Sequence, residues 1–202
     1  MSNKLKLTYF DIKGRGEPIR IAFAYGDVPY EDKRVSYKDW PSIKSTTPLG
    51  KVPFLEVDGT VYTQGFAILR YAGKKANLYP SDELLALRVD EVLQVIDESY
   101  YLKIIESFAI QDAEEKKAFR LKLVTEVFPP VSAKLDEYCD GGYFGHSITI
   151  ADIAMREIIG WFKDDMLEDI PVDFFDTYPN LTQMYKNVTE DPKLKSYFEK
   201  IN

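Results

Sequence analysis

The sequence predicts an α+β amino-terminal domain with a mixed four-stranded sheet, followed by an all-helical domain. Three observations carry that expectation. Strand-type and helix-type patterns alternate through the first eighty residues. An Asp58-Gly59 pair sits between two alternating apolar runs. From Leu85 onward the apolar residues recur almost entirely at three- and four-residue steps.

The first element is a strand, in which Leu5, Leu7 and Tyr9 alternate with Lys4, Lys6 and Thr8. It runs through a turn containing Gly14, Arg15 and Gly16 into a helix over "EPIRIAFAYGD", where Pro18 fits the first turn and Ile19, Ala22 and Phe23 share a face. A strand, a glycine-rich turn and a helix start suggest a dinucleotide site, but the third glycine of G-x-G-x-x-G is replaced by Ile19. The two glycines by themselves are equally consistent with relief of a tight turn. A second strand follows from about residue 30, "YEDKRVSY". Two strands joined through a helix lie parallel with a right-handed crossover. Residues 38–51 carry no clear pattern. "VPFLEVDGTVYT" then reads as a hairpin about Asp58-Gly59, and Phe66 to Leu78 as a helix with Ile68, Leu69 and Ala72 on one side.

"ANLYPSDELL" reads as a linker, so the domains divide as 1–80 and 82–202, with Ser81 placed to cap the next helix and Asp82 and Glu83 favouring its positive end. Leu85, Val89, Val92, Ile96, Tyr100 and Ile104 predict one long amphipathic helix. Leu121, Val124, Phe128, Val131, Leu135 and Tyr138 predict another, but it crosses Pro129-Pro130 and is expected to kink near Thr125 to Phe128 or to split. In "SITIADIAM", Thr149 and Asp152 have capping-box spacing, Ile148 and Ile153 are placed for a hydrophobic staple, and an apolar helix follows through Trp161.

Composition narrows the function classes. The 202 residues are 45% hydrophobic, which excludes a disordered chain, and the formal charge of -7 disfavours nucleic acid and anionic membranes. No apolar run approaches the ~18 residues of a membrane span. The start Met1-Ser2-Asn3-Lys4 leads directly into a strand, so no secretory leader is expected. The single cysteine, Cys139, excludes an internal disulfide framework and a CxxC pair; it and His146 read as structural. A cytoplasmic location is the expectation.

Four segments, "KLTYFDIKGRGEPIR", "YEDKRV", "DWPSIKSTTPLGKVPFLEVDG" and "SITIADIAM", span most of the chain, and together they resemble the cytosolic glutathione transferases of the sigma class. This class includes glutathione-dependent prostaglandin D synthases and S-crystallins. The resemblance implies a thioredoxin-like β-α-β-α-β-β-α domain before the helical one. It implies glutathione as co-substrate, with no permanently bound cofactor and no metal, small hydrophobic electrophiles as second substrates in detoxification, and a homodimer.

The same resemblance assigns roles. Tyr9 would donate its hydroxyl to the glutathione sulfur, with Arg15 adding positive potential. Trp40, Lys44 and Lys51 would hold the glycine end, and Val52, preceding a cis Pro53, would offer its backbone to the cysteinyl unit. Gln64 and Gly65 stand where the family has Gln or Glu followed by Ser, both binding the γ-glutamyl carboxylate, so here a hydroxyl is missing. Glu98 or its neighbour Asp97 would reach the γ-glutamyl amine from the partner subunit. Phe10, Tyr100, Ile104 and Phe198 would line the hydrophobic pocket. Three activities are compatible with this reading: conjugation, glutathione-dependent isomerase or peroxidase chemistry, and non-catalytic carriage of the crystallin type.

Overall fold

The computed structural model describes residues 3–201. The first part runs β1 (Leu5–Phe10), α1 (Glu17–Tyr25), β2 (Glu31–Val35), α2 (Trp40–Ile43), β3 (Phe54–Val57), β4 (Thr60–Thr63) and α3 (Gly65–Lys75). The second part is helical: α4 (Glu83–Ile96), α5 (Leu102–Ala109), α6 (Ala113–Lys122), α7 (Phe128–Tyr138), α8 (Ile150–Lys163), α9 (Pro179–Thr189) and α10 (Lys195–Ile201). No helix among the described residues is long and apolar enough to cross a membrane.

The four strands form one sheet in the order β2-β1-β3-β4. β1 pairs parallel with β2 and antiparallel with β3, and β3 pairs antiparallel with β4. The β3–β4 turn is the expected two-residue hairpin: Asp58 and Gly59 both take positive φ, 50° and 87°, which matches the twist of the flanking strands. Asp58 also accepts the Lys4 amide at 2.8 Å, tying the hairpin to the start of β1. Leu7 and Leu55 face each other across β1 and β3, and Ile19, Phe23, Ile68, Leu69 and Ala72 join them in the core. The segment 38–51, unpatterned in sequence, holds α2 and two 3₁₀ turns, Lys44–Thr46 and Pro48–Gly50.

α8 joins the two parts. Thirteen consecutive residues, Ile150 to Phe162, are buried, and the helix packs against α1, α3, α4 and α9. Its start is the capping box that the sequence implies. Asp152 Oδ2 accepts from the Thr149 amide and hydroxyl, each at 2.7 Å, and Asp152 Oδ1 accepts the Phe144 amide at 2.8 Å. The Ile150 amide bonds to the Leu78 carbonyl at 3.0 Å, so the helix is tied to the segment just after α3.

Two helix details differ from expectation and a third agrees with it. Asp82, not Ser81, caps α4, its carboxylate accepting the Leu85 amide at 2.8 Å. The stretch from Leu85 to Ile104 is broken by a π-helical turn at Asp97–Tyr101. A second π-helical turn, Leu123–Val127, joins α6 to α7 at the place where a kink was expected. Pro129 and Pro130 then occupy the first turn of α7, where a missing amide costs least. Leu121, assigned to the buried stripe, is 56% exposed because it precedes that turn.

Asp152→Ala should cost about 3 kcal/mol, because it leaves buried amide and hydroxyl donors without acceptors. Urea denaturation of the two proteins measures this; equal midpoints would show the box to be incidental to stability.

Candidate functional site

Tyr9 is the last residue but one of β1 and is 7% exposed. Its ring lies directly against the turn that follows. A Cβ at Gly14 would sit 2.6 Å from the Tyr9 hydroxyl, and a Cβ at Gly16 would sit 2.5 Å from its Cδ1. Gly14 also has φ +45°. The glycine pair is therefore required by the tyrosine. Neither residue was assigned to the site from the sequence, since spacing alone does not show a ring packed on a turn.

The turn in return places a donor on the phenol. The Arg15 amide donates to Tyr9 Oη at 3.0 Å, which leaves the phenol proton to be donated outward. Burial pushes the Tyr9 pKa above its ordinary 10, with the Arg15 hydrogen bond opposing it. The group is thus a neutral donor at physiological pH and not a base.

The Arg15 side chain engages Asp97 and Tyr101. Its Nη2 lies 2.7 Å from Asp97 Oδ1, an ion-pair contact without hydrogen-bond alignment, and its guanidinium carbon is 4.9 Å from the centroid of the Tyr101 ring. Asp97 is thus brought to Arg15 of its own chain. Glu98 is exposed and accepts from Gln94 Nε2 at 2.7 Å. A small cleft beside this pair is lined by Arg15, Pro18, Gly65, Phe66, Leu69 and Tyr101.

Gly65 opens α3. Gln64 precedes it with φ 74°, and no side chain caps the helix, so its first amides are left free to meet an anion. Gly65 itself has no left-handed φ. A Cβ there would meet Pro53 Cγ at 3.5 Å, an ordinary contact. The Val52-Pro53 peptide is cis, and Pro53 is buried against this helix start. On the other side of the turn Phe10 stacks on Tyr37, with centroids 4.6 Å apart, and meets the Trp40 ring edge-on at 5.1 Å. Lys44 and Lys51 are exposed on the rim, and neither makes an ion pair among the described residues.

The four residues assigned to a hydrophobic wall are not brought together. Phe10 lies on the rim. Tyr100 is fully buried in the helical core, its hydroxyl 2.6 Å from Ser132 Oγ and its ring stacked on Phe128 at 4.8 Å. Ile104 is buried in the same core. Phe198 is in α10 beneath the Arg156 guanidinium, 4.2 Å away. The π turn at Asp97–Tyr101 carries an extra residue, so the adjacent Tyr101 faces the cleft. Helical periodicity from Ile96 selects Tyr100 and misses Tyr101.

A neutral, buried hydroxyl donor near the end of the first strand, with an uncapped helix start nearby and a helical domain behind, is the arrangement that the resemblance to glutathione transferases implies. Comparison with known proteins agrees. Residues 5–74 match the family model described as glutathione S-transferase, N-terminal domain, and residues 100–201 the corresponding C-terminal domain. The chain is 35% identical over 200 residues to human hematopoietic prostaglandin D synthase, covering 96% of this chain and 95% of that protein. It is 31% identical over 205 residues to a glutathione S-transferase of Anopheles gambiae, with the same coverage. A solved prostaglandin synthase D of Nilaparvata lugens superposes with a TM-score of 0.89 at 36% identity, covering 98% of each chain. The chain belongs to the glutathione S-transferase family.

Gly16→Ala should destabilise the protein by about 2 kcal/mol, as overpacking does, and depress transferase activity, because the new methyl displaces the Tyr9 ring. Thermal melts and a conjugation assay report the two effects; a variant matching wild type in both would mean the ring has room to move without consequence.

Proposed function

We propose that this sigma-class-like transferase activates glutathione through Tyr9 and adds the thiolate to small hydrophobic electrophiles, working as a cytoplasmic homodimer in detoxification. Residues 1–80 form the glutathione-binding domain. Residues 82–202 supply the wall of the second-substrate site and part of the dimer interface. The observation that carries the reading is the Tyr9 hydroxyl, which accepts the Arg15 amide and keeps its own proton for a ligand.

The chemistry follows from the thiol. The thiolate is the nucleophile, and a hydrogen bond donated to it favours the charged form. For a thiol near pKa ~8.5, a drop of ~2 units raises the thiolate at pH 7 from about 3% to about 75%, equivalent to about 2.7 kcal/mol. The tripeptide also carries two carboxylates and an ammonium. On this reading the free amides of α3 at Gln64-Gly65 take the γ-glutamyl carboxylate, and Arg15 adds positive potential beside them. Asp97 or Glu98 takes the ammonium across the dimer, the Val52 backbone pairs with the cysteinyl unit, and Trp40, Lys44 and Lys51 hold the glycine carboxylate. Phe10 is the member of the proposed apolar wall that lies at the mouth of the site.

A second reading draws on the relatives named prostaglandin D synthase. The same thiolate can open an endoperoxide or reduce a peroxide, and a substrate panel of endoperoxides, lipid peroxides and chlorodinitrobenzene separates isomerase, peroxidase and conjugation activities. Failure of all three with bound glutathione would favour a carrier.

Tyr9→Phe should fold, bind glutathione nearly as well, and lose about 25-fold in conjugation rate at pH 7, following the thiolate fraction. Because the phenol stays protonated well above neutrality, the wild-type pH–rate profile should report the thiol alone. An unchanged rate from pH 6 to 8 would move activation elsewhere. Gly65→Ser should tighten glutathione binding about tenfold, since a hydrogen bond to a charged group contributes roughly 1.5 to 3 kcal/mol. The rate at saturation should barely change, because that contact is present in ground and transition states alike. Calorimetry tests this, and weaker binding would show that the backbone alone holds the carboxylate.

A further inference from the structure

Behind Tyr9 lies a buried charged cluster that connects the catalytic turn to the far end of the chain. Arg20 is fully buried, and its guanidinium meets four acceptors. Nη1 donates to the Ile12 carbonyl and to Glu17 Oε2, each at 2.8 Å. Nη2 donates to the Phe10 carbonyl at 3.2 Å, and Nε to Asp32 Oδ1 at 3.2 Å. Two of these acceptors are backbone carbonyls within three residues after Tyr9, so Arg20 holds the chain where it leaves the strand. The Arg20 guanidinium carbon also lies 5.8 Å from the centroid of the Tyr9 ring.

Glu17 is itself buried, and its second oxygen, Oε1, accepts the hydroxyl of Tyr197 at 2.7 Å. Tyr197 belongs to α10, 180 residues away in sequence. That helix is firmly seated by the next residue, Phe198, whose ring lies under Arg156. A buried carboxylate oxygen without a donor is costly. Loss of the Tyr197 hydroxyl would therefore drive Glu17 to seek another partner. Any such movement changes how Arg20 divides its donors between Glu17 and the two carbonyls.

We propose that Tyr197 is a positioning residue for the transferase reaction: through Glu17 and Arg20, the last helix fixes the backbone that carries Tyr9 and so sets how strongly its hydroxyl acidifies the bound thiol. The inference rests on Tyr9 as donor to the glutathione sulfur. It adds a residue outside the ligand-binding surface, remote in sequence and acting only through others.

The test is Tyr197→Phe in the whole chain, which removes one oxygen, with the bound thiol titrated by its ultraviolet thiolate absorbance. The apparent thiol pKa should rise by about 0.5 unit, with about a threefold fall in thiolate and in kcat on the acid side of the profile. The glutathione Kd should stay within about twofold, since no ligand contact is removed. Combined with Glu17→Gln, the loss should be no greater than for Glu17→Gln alone, because residues acting through one another are not additive. A lower melting temperature with unchanged thiol pKa and kcat would overturn the proposal and leave Tyr197 a purely structural residue. Fully additive losses would also overturn it, by taking Glu17 out of the path. A wild-type protein that shows no thiolate signal with glutathione bound would bring down the role of Tyr9 as well, so the two failures are distinguishable.

Discussion

The closest constraint in this molecule is the packing of one aromatic ring on two missing side chains. The Tyr9 ring occupies space that a Cβ on Gly14 or Gly16 would need. This contact fixes the path from β1 into α1 within a few residues, and much follows from it. It puts the Arg15 amide on the phenol oxygen, and it lets Arg20 come under the ring to bond the Phe10 and Ile12 carbonyls. It also sets where α1 begins, and α1 is the helix that packs on both α3 and α8. Catalytic geometry and domain packing are thus not separately adjustable. A change that moves the ring also moves the helix between the two domains.

α8 shows the opposite solution, in which charged groups are buried and engaged with partners. Asp152 and the Arg156–Glu157 pair lie in a helix buried along nearly its whole length. Burial pushes Asp152 up to about 6 and Glu157 up to about 7, against hydrogen bonds from Thr149 and Phe144 in the first case and Arg156 in the second. Both folded values lie above the ~4 of exposed carboxyls. The folded state therefore holds these protons more tightly, and their contribution to stability is full at low pH and is lost as pH rises through about 4 to about 6 or 7. At neutral pH Asp152 is retained for specificity: its three bonds place the start of α8 relative to Phe144 and Thr149, and through Ile150 relative to Leu78.

What was legible in the sequence is what local chemistry dictates. The hairpin was readable because only a few residue pairs take two positive φ angles, and the α8 start because Thr and Asp three apart have few other uses. The parallel pairing of the first two strands followed from their connection through a helix. The rest depends on comparisons that no short window contains. Ser81 and Asp82 are both competent caps, and the outcome turns on which residue's carboxylate or hydroxyl meets the Leu85 amide. The π turns at Asp97–Tyr101 and Leu123–Val127 insert one residue without leaving the helix. A periodic reading therefore carries on smoothly and assigns the wrong one of two adjacent tyrosines to the cleft. The roles of Gly14 and Gly16 were hidden for a different reason: they are defined by an atom that is absent.

The division between backbone and side chain gives the site its character. The features best fixed by the fold are backbone features, namely the Arg15 amide on Tyr9 and the uncapped first turn of α3. These cannot be removed by a single side-chain substitution unless the helix start itself moves. Gly65 illustrates the consequence. A helix that presents its own amides to an anion can tolerate the loss of an added hydroxyl at that position, because the dipole and the N–H groups remain. The helical side of the neighbouring cleft has no such anchor. There the register is set by the π turn at Asp97–Tyr101, whose inserted residue exchanges Tyr100 for Tyr101. The chain thus combines a Tyr9 corner held by packing and backbone bonds with a neighbouring cleft whose helical side depends on helix register.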